Sequence, residues 1–362
     1  MTPQLPIGPD FPWLAPLAGF SDLPFRLLCR EQGAAVACTE MVSAKGLVYG
    51  MRQKGGAEGK SNEGTEDLLV TTPEDSPLVV QLFGAEPEFL AEAADVLRAR
   101  GFFWFDLNMG CSVPKVTKTG AGSALLREPA RALAAASALF RAAGPGRAGC
   151  KIRLGWDAAS PVYLDLAKGL EDAGAAWITL HPRHARQGFG GEADAGALEQ
   201  LARAVSIPVL ASGDLFRAGD ALRCLDTGAR GVMFARGAMA NPAVFRQYHA
   251  LRRAGNGPAV KDAECRPGPE ADALGPDELL ALILRHAALA RELTPGKTGR
   301  RGHSPALLKM RTVVPRYARH LPGVKRLRLA LAACESWDHL DDILRRFFAG
   351  TDENRPAGRW PR

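Results

Sequence analysis

This chain has few cysteines, no long apolar run and, over one stretch, no acidic side chains at all. Its seven cysteines, at 29, 38, 111, 150, 224, 265 and 334, are odd in number and form no CxxC pair. That pattern argues against a zinc ribbon or a disulfide framework and fits a reducing cytoplasm; no metal site is expected. No uninterrupted apolar run approaches the ~20 residues of a membrane-spanning helix. Met1 to Trp13 shows neither a basic n-region nor an apolar h-region, so no secretory signal is expected. The third absence is local: residues 297–328 hold ten Lys and Arg and no Asp or Glu.

That absence locates the charge. The 362 residues carry 46 Lys and Arg against 39 Asp and Glu, a net +7. Residues 276–350 hold 14 and 7 of these, which leaves 32 of each for the rest. A neutral body with a basic appendage is the footprint of a polyanion binder, against the alternative of a solvated face. Apolar residues make up 46% and charged residues 23%, as in ordinary soluble chains, and the length allows two domains.

Eight short apolar runs alternate with helical patterns. Residues 13–19, 36–41, 78–82, 102–105, 148–153, 177–181, 207–214 and 231–237 read as strands, several running into Gly turns. Helices are predicted over 25–32, 87–99, 128–143, 161–172, 195–204 and 217–227. Ser21 or Asp22 can cap the first, with Pro24 in its first turn and Gly33 as its stop. Residues 51–66, rich in Gly, Lys and Glu, read as a mobile loop. Strands recurring every 25 to 40 residues or so predict an α/β fold, a (β/α)8 TIM barrel of about 250 residues. The expected domains are a barrel over 1–251, a linker or surface loop over 252–275, a small basic all-helical domain over 276–350 and a disordered tail over 351–362. Within the helical domain, helices are predicted from Asp277 and around 304–319, 323–333 and 337–349.

The polar residues on the barrel strands are the candidate site. Phe105-Asp106-Leu107-Asn108-Met109-Gly110-Cys111 joins the end of a buried strand to a turn holding an amide, a glycine and a thiol. Loops after strand C-termini are where parallel α/β folds hold ligands. Cys111 is there either as a small turn filler or as an acid or nucleophile. Gln81, a lone amide in its strand, either bonds the backbone or faces a ligand. Lys151 interrupts a strand in which burying it unpaired is costly. His181 ends a strand and opens a polar loop. The turns Ser212-Gly213-Asp214 and Ala235-Arg236-Gly237 follow strands seven and eight, where barrels often hold a phosphate. Gly296-Lys297-Thr298 looks like the end of a P-loop, but Arg291 stands where the first glycine is required and no strand precedes it. No nucleoside-triphosphate site is expected there.

Taken in order, Pro16-Leu17-Ala18-Gly19, Asp106 to Cys111, Lys151-Ile152-Arg153, His181-Pro182-Arg183, Ser212-Gly213-Asp214 and Ala235-Arg236-Gly237-Ala238-Met239 resemble the bacterial tRNA-dihydrouridine synthases. The resemblance covers roughly residues 12–330. It implies an FMN enzyme, reduced by NADPH, that reduces the C5–C6 double bond of selected uridines in tRNA. On that resemblance Cys111 would protonate C5 while hydride passes from the flavin to C6. Gln81 and Lys151 would contact the flavin ring, and His181 would lie by the flavin or its phosphate. Pro16, Ala18, Ser212, Gly213, Asp214, Ala235, Arg236 and Gly237 would complete the cofactor site. Asn108 and Arg183 would contact the uridine, and Lys309 and Arg311 would grip the tRNA. Ser112, Ala185 and Ser212 depart from the family's usual proline, arginine and asparagine. Two alternatives stay open: an FMN barrel acting on a small pyrimidine-like substrate, and a non-catalytic RNA-binding protein. No long exposed apolar helix suggests a partner copy, so a monomer is expected.

Overall fold

Strands of two to six residues cannot bury a core singly, and here they close on one another. The computed structural model describes residues 4–54, 63–254, 274–294 and 304–350. Its parallel strands are β1 Trp13–Leu14, β2 Val36–Cys38, β3 Val42–Ser43, β4 Leu78–Phe83, β5 Trp104–Met109, β6 Ala148–Arg153, β7 Ile178–His181, β8 Val209–Ala211 and β9 Gly231–Phe234. They run in the order β2-β1-β9-β8-β7-β6-β5-β4-β3, and β2 also pairs with β4, which closes a ring of eight. β2 and β3 share the same edge of β4, at Ala37↔Leu78 and Val42↔Leu82, so they are two pieces of one barrel position interrupted by Thr39-Glu40-Met41. This is the (β/α)8 barrel that the eight alternations predict, with a helical region after it.

Alternation along each strand sorts the side chains into two cores. Phe105, Leu107 and Met109 pack outward with helix residues such as Leu90, Leu97 and Leu139. Trp13, Val79, Trp104, Trp177, Leu210 and Met233 form a separate cluster inside the ring. Trp13 and Trp177 meet edge to face with centroids 5.5 Å apart. Gly149 makes room for them, because a Cβ there would lie 2.4 Å from Trp177 Cε2. The interior is thus plugged by tryptophan below and turns polar above, at Gln81, Asp106 and Asn108.

Helix starts follow local chemistry. The Asp22 carboxylate accepts from Phe25 N–H, Asp194 does the same for Ala197, and proline opens the helices Pro87–Ala99 and Pro129–Ala143. Three expectations need correction. The loop predicted from residue 51 is in part helix: Ala44–Lys54 continues through its first residues and Glu63–Asp67 forms another turn, with Leu47 and Val48 buried on the first. Residues 55–62 lie outside the described residues. The linker predicted from 252 is helix in its first three residues, because Val244–Ala254 runs through them; 255–273 lie outside the described residues. The fourth strand is shifted: it is β5, which begins at Trp104, and Phe103 before it is exposed. Asp106 and Asn108 are therefore within the strand, tolerated because buried polar groups there bond one another. The tail 351–362 and the Gly296-Lys297-Thr298 decoy also lie outside the described residues.

The chain divides into two compact units, Met1–Ala238 with Ala243–Pro258, and Met239–Pro242 with Ala259–Arg362. The second holds the helices Pro276–Leu293, Pro305–Tyr317, Val324–Ala332 and Trp337–Ala349. Its core includes Ile283, Met310, Val314, Leu331, Leu344 and Phe348. Among the described residues no helix is long and apolar enough to cross a membrane.

Candidate active site

The carboxyl ends of the strands surround a cavity of about 260 Å³. Pro16 and Ala18 after β1, Asn108 and Cys111 around the end of β5, Lys151 in β6 and His181 in β7 all line it. So do Ser212, Gly213 and Asp214 after β8, and Ala235 and Arg236 after β9. The structure therefore brings together most of the residues picked out in the sequence. Gln81, Arg183 and Gly237 stand behind the wall rather than in it. Lys309 and Arg311 belong to the helical unit, where an Arg311 guanidinium N–H donates to the Cys334 carbonyl.

The turn that carries Cys111 is held from three sides. Asn108 Oδ1 accepts the backbone N–H groups of Gly110 (3.2 Å) and Cys111 (2.9 Å). Arg153 Nε donates to the Gly110 carbonyl at 2.9 Å. Ser123 N–H donates to the Cys111 carbonyl at 2.9 Å. Gly122 beside it has φ +63 and no room for a Cβ, which would lie 2.6 Å from that same carbonyl. The thiol is partly exposed and lines the cavity. Behind it, Asn108 Nδ2 donates to Gln81 Oε1 at 2.8 Å and to Met41 Sδ at 3.1 Å. Gln81 Nε2 donates to Asp106 Oδ2 at 2.7 Å.

Charge in the cavity wall is mainly positive. The Lys151 side chain makes no hydrogen bond or ion pair with another described residue. Burial and the nearby Arg153 bring its ammonium down to about 8, and Asp106 and Cys38 oppose the fall. Burial, with Lys151 and the arginines 153, 183 and 236, drives His181 down to about 2, so its imidazole is neutral. Burial and the neighbouring arginines lower Arg153 to about 10, which leaves it charged at neutral pH.

Asp214 is the one carboxylate on the wall and it is fully engaged. Arg183 binds it bidentately at 2.8 and 2.6 Å, Arg236 donates at 2.8 Å and Ala193 N–H at 3.0 Å. Burial acts to raise its pKa, but the Arg183 and Ala193 hydrogen bonds and both arginine charges hold it below the usual value. Asp214 itself sits at φ 54, and Gly213 before it at φ 97. A Cβ on Gly213 would lie 2.5 Å from His181 Cδ2, so only glycine lets this turn close on the imidazole.

Several residues that shape this cavity were not assigned in the sequence. Arg153 ties the Cys111 turn to the next loop, since its other hydrogen bonds go to the carbonyls of His184 (3.0 Å) and Gly188 (2.8 Å). Phe189 is 61% exposed at the cavity mouth, stacked near His181, with the Arg236 guanidinium 4.4 Å over its ring. The Phe216 ring lies 4.8 Å from Arg236 on another side. An aromatic flanked by glycines in a loop was the available signal for Phe189. Asp106 carried no signal beyond being a charge on a buried strand.

Beyond this geometry, the dihydrouridine synthase (Dus) family profile matches residues 13–294. The chain belongs to this family. It is 34% identical to a probable tRNA-dihydrouridine synthase 1 of Synechocystis, over 91% of this chain and 84% of that one. It is 32% identical to tRNA-dihydrouridine synthase B of Pseudomonas aeruginosa, over 94% of this chain and 93% of that one. Among solved structures it is similar to morphinone reductase, at 14% identity and a TM-score of 0.47, over 69% of this chain and 91% of that one. For a Dus family enzyme, the cavity at the strand ends is the place where a barrel does chemistry.

Proposed function

We propose that this Dus family enzyme reduces the C5–C6 double bond of uridines in cytoplasmic tRNA, with FMN as its flavin and NADPH as the reductant. The observation that carries the reading is the partly exposed Cys111 thiol lining the same cavity as the unpartnered Lys151 ammonium. The residues fit a flavin mononucleotide. An unpaired ammonium suits an electron-rich ring that becomes anionic on reduction. The Gly213 turn, which a Cβ would fill, and Arg236 suit a phosphate. When bound, the flavin would supply hydride to C6 of the uracil.

The chain's own residues do the rest. Cys111 holds the proton that C5 must gain, as a positioned acid. Asn108 and Arg153 fix the turn from which Cys111 reaches into the cavity. Phe189 offers an exposed ring at the mouth, a surface on which an unstacked base can lie. The buried, neutral His181 is not a proton donor at neutral pH; its place is to pack against Gly213 and the flavin site.

The helical unit supplies the reason to choose tRNA over a free pyrimidine. The helix Val324–Ala332 buries only Leu327 and Leu331 and leaves Lys325, Arg326, Arg328 and Leu329 exposed. A basic face of this kind gains affinity by displacing counterions from phosphates.

The test is mass spectrometry of unmodified tRNA after incubation with the protein, FMN and NADPH. Dihydrouridine should form with the wild type. Cys111→Ala should keep flavin and tRNA binding and lose turnover by about 10²–10⁴-fold. A yellow protein that oxidises NADPH yet forms no dihydrouridine would move the assignment to a small-molecule acceptor.

A further inference from the structure

Asp106 stands at the far end of the chain of hydrogen bonds that reaches Cys111, and it touches neither the cavity nor the thiol. It is buried, 1% exposed, in the middle of β5. Its Oδ2 accepts from Gln81 Nε2 at 2.7 Å; its Oδ1 has no hydrogen-bond partner within normal bonding distance. Gln81 Oε1 in turn accepts from Asn108 Nδ2, and Asn108 Oδ1 accepts the Gly110 and Cys111 N–H groups.

The polarity of this relay is the point. A side-chain amide has a donor end and an acceptor end and can flip between them. An ionised carboxylate only accepts, and a backbone N–H only donates. Burial raises the Asp106 carboxyl to about 6, while Gln81, Lys151 and the nearby Trp177 indole act to lower it, so it is ionised at neutral pH. Asp106 at one end and the Gly110 and Cys111 N–H groups at the other therefore leave a single consistent orientation for both amides between them. Remove the carboxylate and Gln81 loses the partner that fixes its amide. A flipped Gln81 would set NH2 against the Asn108 NH2, and a flipped Asn108 would set NH2 against the two backbone N–H groups.

A buried carboxylate is expensive for a barrel interior, and here one of its oxygens is left without a close donor. Lys151 on β6 is the charge that faces it, and Cys38 on β2 and Cys150 on β6 are the other titratable groups whose charge it touches. Tertiary packing gains nothing from that arrangement that an apolar side chain would not supply. We infer that Asp106 is a positioning residue: through Gln81 and Asn108 it sets the orientation of the turn that presents Cys111. The inference rests on Cys111 acting as the proposed acid, but its test does not.

The experiment compares Asp106→Leu, Gln81→Met, the double variant and Asp106→Asn with the wild type. On the apoprotein, the alkylation of Cys111 by iodoacetamide is followed by peptide mass spectrometry from pH 6 to 9, with Cys224 as the internal reference. Asp106→Leu and Gln81→Met should shift the Cys111 profile to the same extent, the double variant no further, and Cys224 should not change. Melting temperatures should fall modestly, because each single variant leaves a buried polar partner unpaired, and should stay well above the assay temperature. On tRNA with FMN and NADPH, kcat should drop about 10²-fold with KM for tRNA unchanged, the loss expected of a displaced reacting group. Asp106→Asn, which still offers an acceptor oxygen to Gln81, should recover most of that loss. The inference is overturned if Asp106→Leu matches the wild type in both readouts, if the two single effects add, or if Asp106→Asn is as impaired as Asp106→Leu. Should Asp106→Leu not fold, Gln81→Met carries the same comparison. A wild type that forms no dihydrouridine would sink the proposed reaction, while the alkylation profiles would still decide the role of Asp106.

Discussion

Single residues set the character of the cavity, and two of them have consequences that stability measurements can read. Lys151 is an ammonium kept in a poor place: burial brings it to about 8 from an ordinary 10.5. Below about pH 8 the folded chain holds this proton less tightly than the unfolded chain does, so the charge destabilises the apoprotein; the deficit is relieved as pH rises from about 8 to about 10.5. Lys151→Met should therefore stabilise the apoprotein at pH 7, by on the order of 1 kcal/mol, while weakening FMN binding. Urea melts at pH 7 and pH 9.5 should show the advantage shrinking at the higher pH. Gly213→Ala adds a Cβ against His181 at φ 97 and should cost about 1–3 kcal/mol and most of the flavin affinity, as thermal melts and flavin titration would report. Most candidate residues were legible in the sequence because they are polar groups on strands that should be apolar. Arg153 and Asp106 were not, since their roles exist only through bonds to other elements, Gly110 and Gln81, that no local pattern encodes.

At the scale of elements, the strand-by-strand reading held wherever an apolar run was bounded by Gly or Pro. It slipped at β5, where the run Phe102–Phe105 drew the strand too early. Periodicity cannot distinguish Asp106 and Asn108 as loop residues from interior residues satisfied by Gln81. It slipped again at Ala44–Lys54, whose exposed charged face hid a helix resting on Leu47 and Val48. Two elements offer tests of packing. In β6, Gly149→Ala would push a methyl into Trp177 and should destabilise the barrel by about 1–3 kcal/mol without changing the cavity's charge. At the other end of the barrel wall, buried Asp75 bonds both Arg26 (2.8 Å) and Arg30 (3.1 Å). Asp75→Ala would leave two cations without their anion and should cost about 3–5 kcal/mol in chemical denaturation.

Across the whole molecule, the proposed division of labour follows the division of charge. The neutral body corresponds to the barrel pattern and the +7 to the helical stretch 276–350, and both were visible from counting alone. What counting could not separate was which cations face outward. Arg311 spends a hydrogen bond on Cys334, whereas Lys325, Arg326 and Arg328 ride on a helix that buries two leucines. Replacing those three by alanine should weaken tRNA binding at every uridine alike. It should also flatten the dependence of log Kd on log salt by about 0.7–0.9 for each phosphate no longer neutralised. Flavin binding should not change. Filter binding across a salt series would measure the tRNA effects, and flavin titration the rest.

The tryptophan plug has an optical corollary. Three of the six tryptophans, Trp13, Trp104 and Trp177, are dry and lie inside the ring, while Trp156 and Trp337 are only partly covered. The emission of the folded chain should therefore be dominated by blue-shifted indoles seated beneath the cavity floor. A yellow ring entering that cavity would overlap their emission and darken it. The molecule carries its own gauge of cofactor loading, readable without substrate, label or turnover.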